Sequence, residues 1–139
     1  MSKFFLFVLI LLIFFISGCV SSPKAELSAD DTGVDIDILS NEDKTLNITL
    51  RVHNAGELAA QNVVVTAEAR PVNEAGKSVQ IGSFTISSIP PKSEALAFIK
   101  WDTKTTYKDN MIRLVIDPGN SIEEPDKANN VVVFSYSIN

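Results

Sequence analysis

Two hydrophobic patterns divide this chain. Phe4 to Ile16 form an unbroken apolar run of thirteen residues, whereas apolar and polar residues alternate from residue 33 onward. Alternation with period two places one set of side chains inward and the other outward on a half-buried strand. Val34, Ile36 and Ile38 alternate with Asp35, Asp37 and Leu39, and Asn41 to Lys44 make a turn. Leu46, Ile48, Leu50 and Val52 then define an inward face, with Asn47, Thr49, Arg51 and His53 outward. Asn54-Ala55-Gly56 closes that strand, and Gly56 is free to take positive φ. Val63, Val65, Ala67 and Ala69 give a third strand, and Pro71 to Gly76 the next turn region. A fourth runs from Val79 to Ile86, with Gly82 marking a bulge. Ile89-Pro90-Pro91 is a crossing loop into a fifth strand, Glu94 to Trp101. Its register is open, because Leu96 and Phe98 share one face while Ala97, Ile99 and Trp101 share the other; the favoured reading buries Trp101. Ile112, Leu114 and Ile116 give the sixth strand and Val131 to Ile138 the seventh. No amphipathic helix of ten or more residues interrupts them. The expectation is an all-β protein: an immunoglobulin-like, seven-stranded antiparallel β-sandwich over residues 33–139, after an N-terminal signal helix.

The apolar leader has the parts of a secretory signal over residues 1–18, with Lys3 as its positive charge. A membrane-spanning helix wants about 20 apolar residues. Phe4 to Val20 supplies 17, interrupted by Ser17, Gly18 and Cys19. Ile16-Ser17-Gly18-Cys19 resembles the lipobox of secreted lipoproteins. That resemblance implies cleavage before Cys19 and lipidation of its sulfur, which would hold the protein at the extracytoplasmic face of the cell membrane. The alternatives are an uncleaved N-terminal membrane helix and a simple secreted protein. Residues 19–32 then read as a lipid-anchored flexible tether, since VSSPKAELSADDT is polar with Pro and small residues. The competing reading is a short first strand around Ala25–Leu27.

Removal of residues 1–18 from 139 leaves 121, the size of one domain. Loss of Lys3 takes the net charge from −5 to −6. An acidic exterior disfavours nucleic acid and offers no basic patch to anionic lipid. Cys19 is the only cysteine, so no intramolecular disulfide forms and the domain must stand on its core.

Candidate chemistry is sparse. His53 is the only histidine and lies on an outward position, without the nucleophile and orienting partner that catalysis needs. No enzymatic site is expected. Asp117, Asn120, Glu123, Glu124, Asp126 and Asn129 crowd oxygen atoms into one loop. Calcium takes six to eight oxygens, so this is a candidate calcium or recognition loop, although its spacing does not match an EF-hand. The bland reading is a turn-forming, solvated acidic loop. Asn47-Ile48-Thr49 is an N-glycosylation acceptor pattern on an outward strand position. Leu96 and Phe98 become an exposed apolar patch if Trp101 is buried.

Three segments carry a family resemblance. They are Val52-x-Asn54-x-Gly56, Ile89-Pro90-Pro91-Lys92-Ser93 with its strand ending in Trp101, and Ile116-Asp117-Pro118-Gly119-Asn120-Ser121-Ile122-Glu123-Glu124-Pro125-Asp126-Lys127-Ala128-Asn129-Asn130. Together they resemble the CARDB family, the cell adhesion related domain found in bacteria, over about residues 33–139. The resemblance implies a non-enzymatic, adhesion-type surface module that recognises an envelope protein or a glycan. The alternative is an accessory subunit or structural spacer of a membrane complex. Independently of the family, Asp117-Pro118-Gly119-Asn120 suits a type II turn with Gly119 at positive φ. Ile122 is placed to plug the end of the sandwich, and Asn129 and Asn130 to bond nearby backbone.

Overall fold

A computed structural model describes residues 21–42, 44–73 and 77–138. The signal segment and Cys19 lie outside the described residues, as do Asp43 of the first turn and Glu74 to Gly76 of the third. Eight strands follow in order: β1 (Leu27–Ser28), β2 (Val34–Ser40), β3 (Thr45–Asn54), β4 (Ala60–Pro71), β5 (Val79–Ile89), β6 (Ser93–Asp102), β7 (Asp109–Ile116) and β8 (Val131–Ser137). All pairings are antiparallel. In the first sheet β3 is central, with β6 along one side and β1 and β2 sharing the other. The second sheet runs β5-β4-β7-β8. Among the described residues no helix is long and apolar enough to cross a membrane.

The alternating positions become the core. Ile48, Leu50 and Val52 of β3, with Ala97, Ile99 and Trp101 of β6, pack against Val63, Val65, Ala67 and Ala69 of β4 and Ile112, Leu114 and Ile116 of β7; all are essentially inaccessible to water. Neither sheet is viable with one apolar face in water, so removing both faces together is the main stabilising term. Trp101 is fully buried, its ring set edge-on to Tyr136 at 5.7 Å. Leu96 and Phe98 fall on the opposite face of β6 and stay 42% and 47% exposed. The bulge in β5 falls beside Gly82: Ala67 faces Gly82 and Glu68 faces Gln80, which leaves Ile81 as the extra residue. Gly82 is required there because a Cβ would lie 2.5 Å from Ile99 Cγ2 where the sheets converge.

The chain differs from its sequence reading in three places. The strand count is eight, not seven, because Leu27–Ser28 pairs with Asn54 and His53. The segment read as a tether is therefore partly built into the fold: Ala25 and Leu27 are buried in the core, as in the short-strand alternative. Gly56 does not take positive φ. It is needed because a Cβ would lie 2.3 Å from Lys24 O and 2.6 Å from Ala25 Cα. The turn after β7 is not type II. Asn120 N donates to Asp117 O at 3.0 Å, but the positive φ values fall on Asp117 (48°) and Asn120 (52°), outside the Pro118-Gly119 pair. Asp and Asn tolerate the left-handed region better than most residues.

Candidate functional site

The connections β3–β4, β5–β6 and β7–β8 share one end of the sandwich with the N-terminal segment, and a polar network ties them together. Asn54, at the end of β3, is 1% exposed. Its Oδ1 accepts from Glu26 N (3.1 Å) and Gly56 N (3.0 Å), while Nδ2 donates to Leu58 O (2.8 Å), Ile89 O (3.0 Å) and Pro90 O (3.2 Å). One amide thus joins three chain segments. Backbone bonds reinforce it: Ala55 N donates to Glu26 O, and Glu57 N and Leu58 N to Lys24 O.

The loop from Asp117 to Asn130 closes over the same segment. Glu124 is buried, with Oε2 accepting from Leu27 N at 2.8 Å and Oε1 from the Asn130 side-chain amide. The orientation that satisfies the Asn129 amide has its nitrogen donating to Leu27 O (3.0 Å) and Asp126 O (3.2 Å). Asp117 Oδ1 accepts from Ser121 N and Oγ, and Oδ2 from Ile122 N. Lys127 Nζ sits between the two carboxylates, 3.4 Å from Asp117 Oδ2 and 3.6 Å from Glu124 Oε1, and donates to Ile122 O at 2.8 Å. Burial pushes the Asp117 carboxyl up, but the Ser121 hydroxyl, the Ile122 and Ser121 amides and Lys127 together hold it below its ordinary value. Glu123 is exposed and held below its ordinary value by Lys24, whose Nζ lies 2.6 Å away. Asp126 Oδ1 accepts from Ala128 N. Ile122 packs against the core as a plug.

This geometry ties most of the candidate calcium or recognition loop to internal partners, while Asn120 and Glu123 stay exposed. The Asp117, Glu124 and Asp126 carboxylates accept from internal donors, and Asp117 and Glu124 share the Lys127 ammonium. Lys127 already supplies the positive charge between the two buried carboxylates. Among the described residues, no group of three or more acidic, histidine or cysteine side chains could hold a metal ion. The residues do not fit a calcium site. Nor is the loop simply solvated, because Asp117 and Glu124 are buried. Lys127, the one basic residue between Asp117 and Asn130, lies within the family motif, and only the fold gives it a role as counter-charge to the two buried carboxylates.

Other sequence candidates lie on the outer face of the first sheet. His53 Nδ1 faces Glu94 Oε2 at 3.3 Å and Arg51 Nε faces Glu94 Oε1 at 3.4 Å, all three about half exposed. Asn47 lies between Asp37 and Lys100 in the sheet, its Nδ2 donating to Thr49 Oγ1 at 2.9 Å. Phe98 turns its ring toward Phe84 of β5, edge to face at 5.8 Å. These positions form a shallow polar surface with Leu96 and Phe98 as its apolar part.

No curated protein matches the chain by sequence. Among solved structures it is similar to the CARDB domain of the PF1109 protein from Pyrococcus furiosus, described in complex with di-metal ions. That match has 19% identity and a TM-score of 0.61, and covers 82% of this chain and 88% of that one. A solution structure from Geobacter metallireducens matches at 32% identity and a TM-score of 0.51, covering 76% of this chain and 89% of that one. β-Glucosidase 3B from Thermotoga neapolitana shares the fold alone, at 12% identity and a TM-score of 0.54, over 85% of this chain but 16% of the enzyme. The CARDB family model matches residues 34–134, spanning β2 to β8, and the chain belongs to the CARDB family.

Proposed function

We propose that the protein is a non-enzymatic surface module, held at the extracytoplasmic face of a membrane through lipidated Cys19, that presents the outer face of its first sheet to an envelope protein or a glycan. The observation that carries the recognition half is the exposed pair Leu96 and Phe98 on β6, set among Arg51, Thr49 and Glu94. A flat sheet bearing an accessible aromatic ring offers a stacking platform to a sugar or an anchor to an apolar protein surface. Anchoring follows from chain chemistry: one acyl chain binds a membrane marginally, whereas a diacylated cysteine holds it firmly at about 0.8 kcal/mol per buried methylene.

The test is crosslinking in intact cells, followed by purification from membranes and mass spectrometry, for wild type and Phe98→Ala. Recovery of a reproducible partner that is lost in F98A, with the fold retained, supports this reading. A partner kept in F98A moves recognition to another surface. Recovery of self-peptides alone favours the second reading, a passive spacer in a membrane complex. The inward wiring of Asp117, Glu124 and Asn129 speaks for that alternative, since it leaves little of the loop to display.

A further inference from the structure

We propose that the end of the sandwich carrying Lys24, Gly56, Lys92 and Glu123 is the one held at the lipid surface, with the opposite end on average farther from it. This rests on the membrane-anchor reading, but not on the kind of anchor. The chain leaves the bilayer near residue 19 or 20 whether Cys19 is lipidated or the apolar leader remains as a helix.

Chain length carries the argument. Lys24 is the first residue fixed by the domain: its carbonyl accepts from Glu57 N at 2.8 Å and Leu58 N at 3.3 Å, and its ammonium pairs with Glu123. Five peptide steps separate Cys19 from Lys24. Fully extended they span at most about 18 Å, and as a coil about 12 Å. The sandwich is longer than that, since the ten residues of β3 alone extend about 33 Å at the usual rise per residue. The turns between β2 and β3, β4 and β5, and β6 and β7, with Ile138 beside Lys108, lie at the other end, so the domain cannot be inverted onto them while Cys19 stays at the bilayer.

A free tether through Thr32 would have had thirteen steps and a reach of about 45 Å, enough to lay any face on the membrane. Docking of residues 24–28 removes the inverted arrangements. The buried contacts of Asn54, Gly56 and Glu124 with residues 24–27 therefore set orientation as well as stability. Charge at this end is compatible with a headgroup layer, because Lys24 pairs with Glu123 and Lys92 with Glu57 (2.7 Å), so neither sign is in excess across the two pairs. The far turns are left accessible to partners.

The test uses the full chain with its own anchor, purified from membranes and placed in phosphatidylcholine vesicles containing nitroxide-headgroup lipid. Single cysteines replace Glu57 or Lys92 at the near end, and Asn41 or Lys108 at the far end, each carrying a fluorophore. A labelled wild-type control reports any free thiol on Cys19. Quenching severalfold stronger at Glu57→Cys and Lys92→Cys than at Asn41→Cys and Lys108→Cys is the expected result. Insertion of about 20 Gly/Ser residues between Pro23 and Lys24 should shrink the contrast, because the lengthened tether of about 25 steps spans about 28 Å as a coil, close to the length of the domain. Equal quenching at both ends of the native-length protein, or a contrast that the insertion leaves unchanged, overturns the orientation while leaving the anchor standing. Failure of the wild-type chain to partition with vesicles overturns the anchor reading and the orientation together.

Discussion

Asn54→Asp isolates the network that joins β3, the β5–β6 connection and the N-terminal segment. The change keeps side-chain shape and both acceptor positions toward Glu26 N and Gly56 N. It replaces the donor facing Leu58 O, Ile89 O and Pro90 O with an anionic oxygen among three carbonyls. Two partly buried bonds lost at about 1 kcal/mol each, plus about 1–3 kcal/mol for Ile89 O left buried without a donor, give about 3–5 kcal/mol. The uncompensated charge adds to that. Domain stabilities run to about 5–15 kcal/mol, so the variant should sit near the limit of folding. Urea denaturation followed by Trp101 fluorescence reads the effect, because Trp101 is the only tryptophan and is fully buried. The midpoint should fall by about 2 M if the urea slope is near 2 kcal/mol/M. The deficit relative to wild type should narrow on acidification, because protonating the introduced carboxylate restores one donor. A variant within about 1 kcal/mol of wild type, below the cost expected for even one buried unpaired carbonyl with its lost bonds, would refute the assigned role.

Three further outcomes follow from the same contacts. Gly56→Ala should undock residues 24–28, because the new Cβ meets backbone at Lys24 and Ala25; trypsin should then cut after Lys24, a site protected in wild type. Asp117 has a folded carboxyl pKa below its unfolded value of about 3.9, so its contribution is present above that pH and is lost as pH falls through the folded value. Asp117→Asn should lower stability at pH 7 and flatten its decline below about pH 4, read as Tm against pH by circular dichroism. Among the described residues Trp101 Nε1 is buried without a hydrogen-bond partner, so Trp101→Phe gives up ring volume but no hydrogen bond to them. It should cost about 1–2 kcal/mol by thermal melting, well below the 3–5 kcal/mol or so typical of truncating a buried tryptophan to alanine.

The sandwich was legible because burial follows alternation wherever a strand has one dry face. Leu46 to Val52, Val63 to Ala69 and Ile112 to Ile116 all turn inward as their period requires. The fifth predicted strand resolved as the larger aromatic demands, with Trp101 inside and Phe98 on the outer face. What local pattern could not supply was the fate of residues 24–28. Ala25 and Leu27 offer only two apolar positions in a polar stretch, and the groups that hold Leu27 are Glu124 and Asn129, about a hundred residues away. The acidic loop misled for the same reason. Its carboxylates look solvated or metal-binding in sequence, but their donors are the backbone of a distant segment, the loop's own amides and Lys127. The turn at Pro118-Gly119 has type II composition, yet the left-handed conformations sit on Asp117 and Asn120; the Asp117 carboxylate is bound there by Ser121 and Ile122. Gly56 serves not through conformational freedom but through the space it leaves to Lys24 and Ala25.

The central claim, a surface module tied to the membrane at residue 19, is tested most directly by the mass of the protein extracted from membranes. The account predicts a chain that begins at Cys19 and carries acyl groups on that residue, with Cys19→Ala released from membranes or stalled in processing. A membrane-bound chain that retains Met1 to Gly18 with an unmodified Cys19, or an unacylated protein found free of membranes, would contradict it.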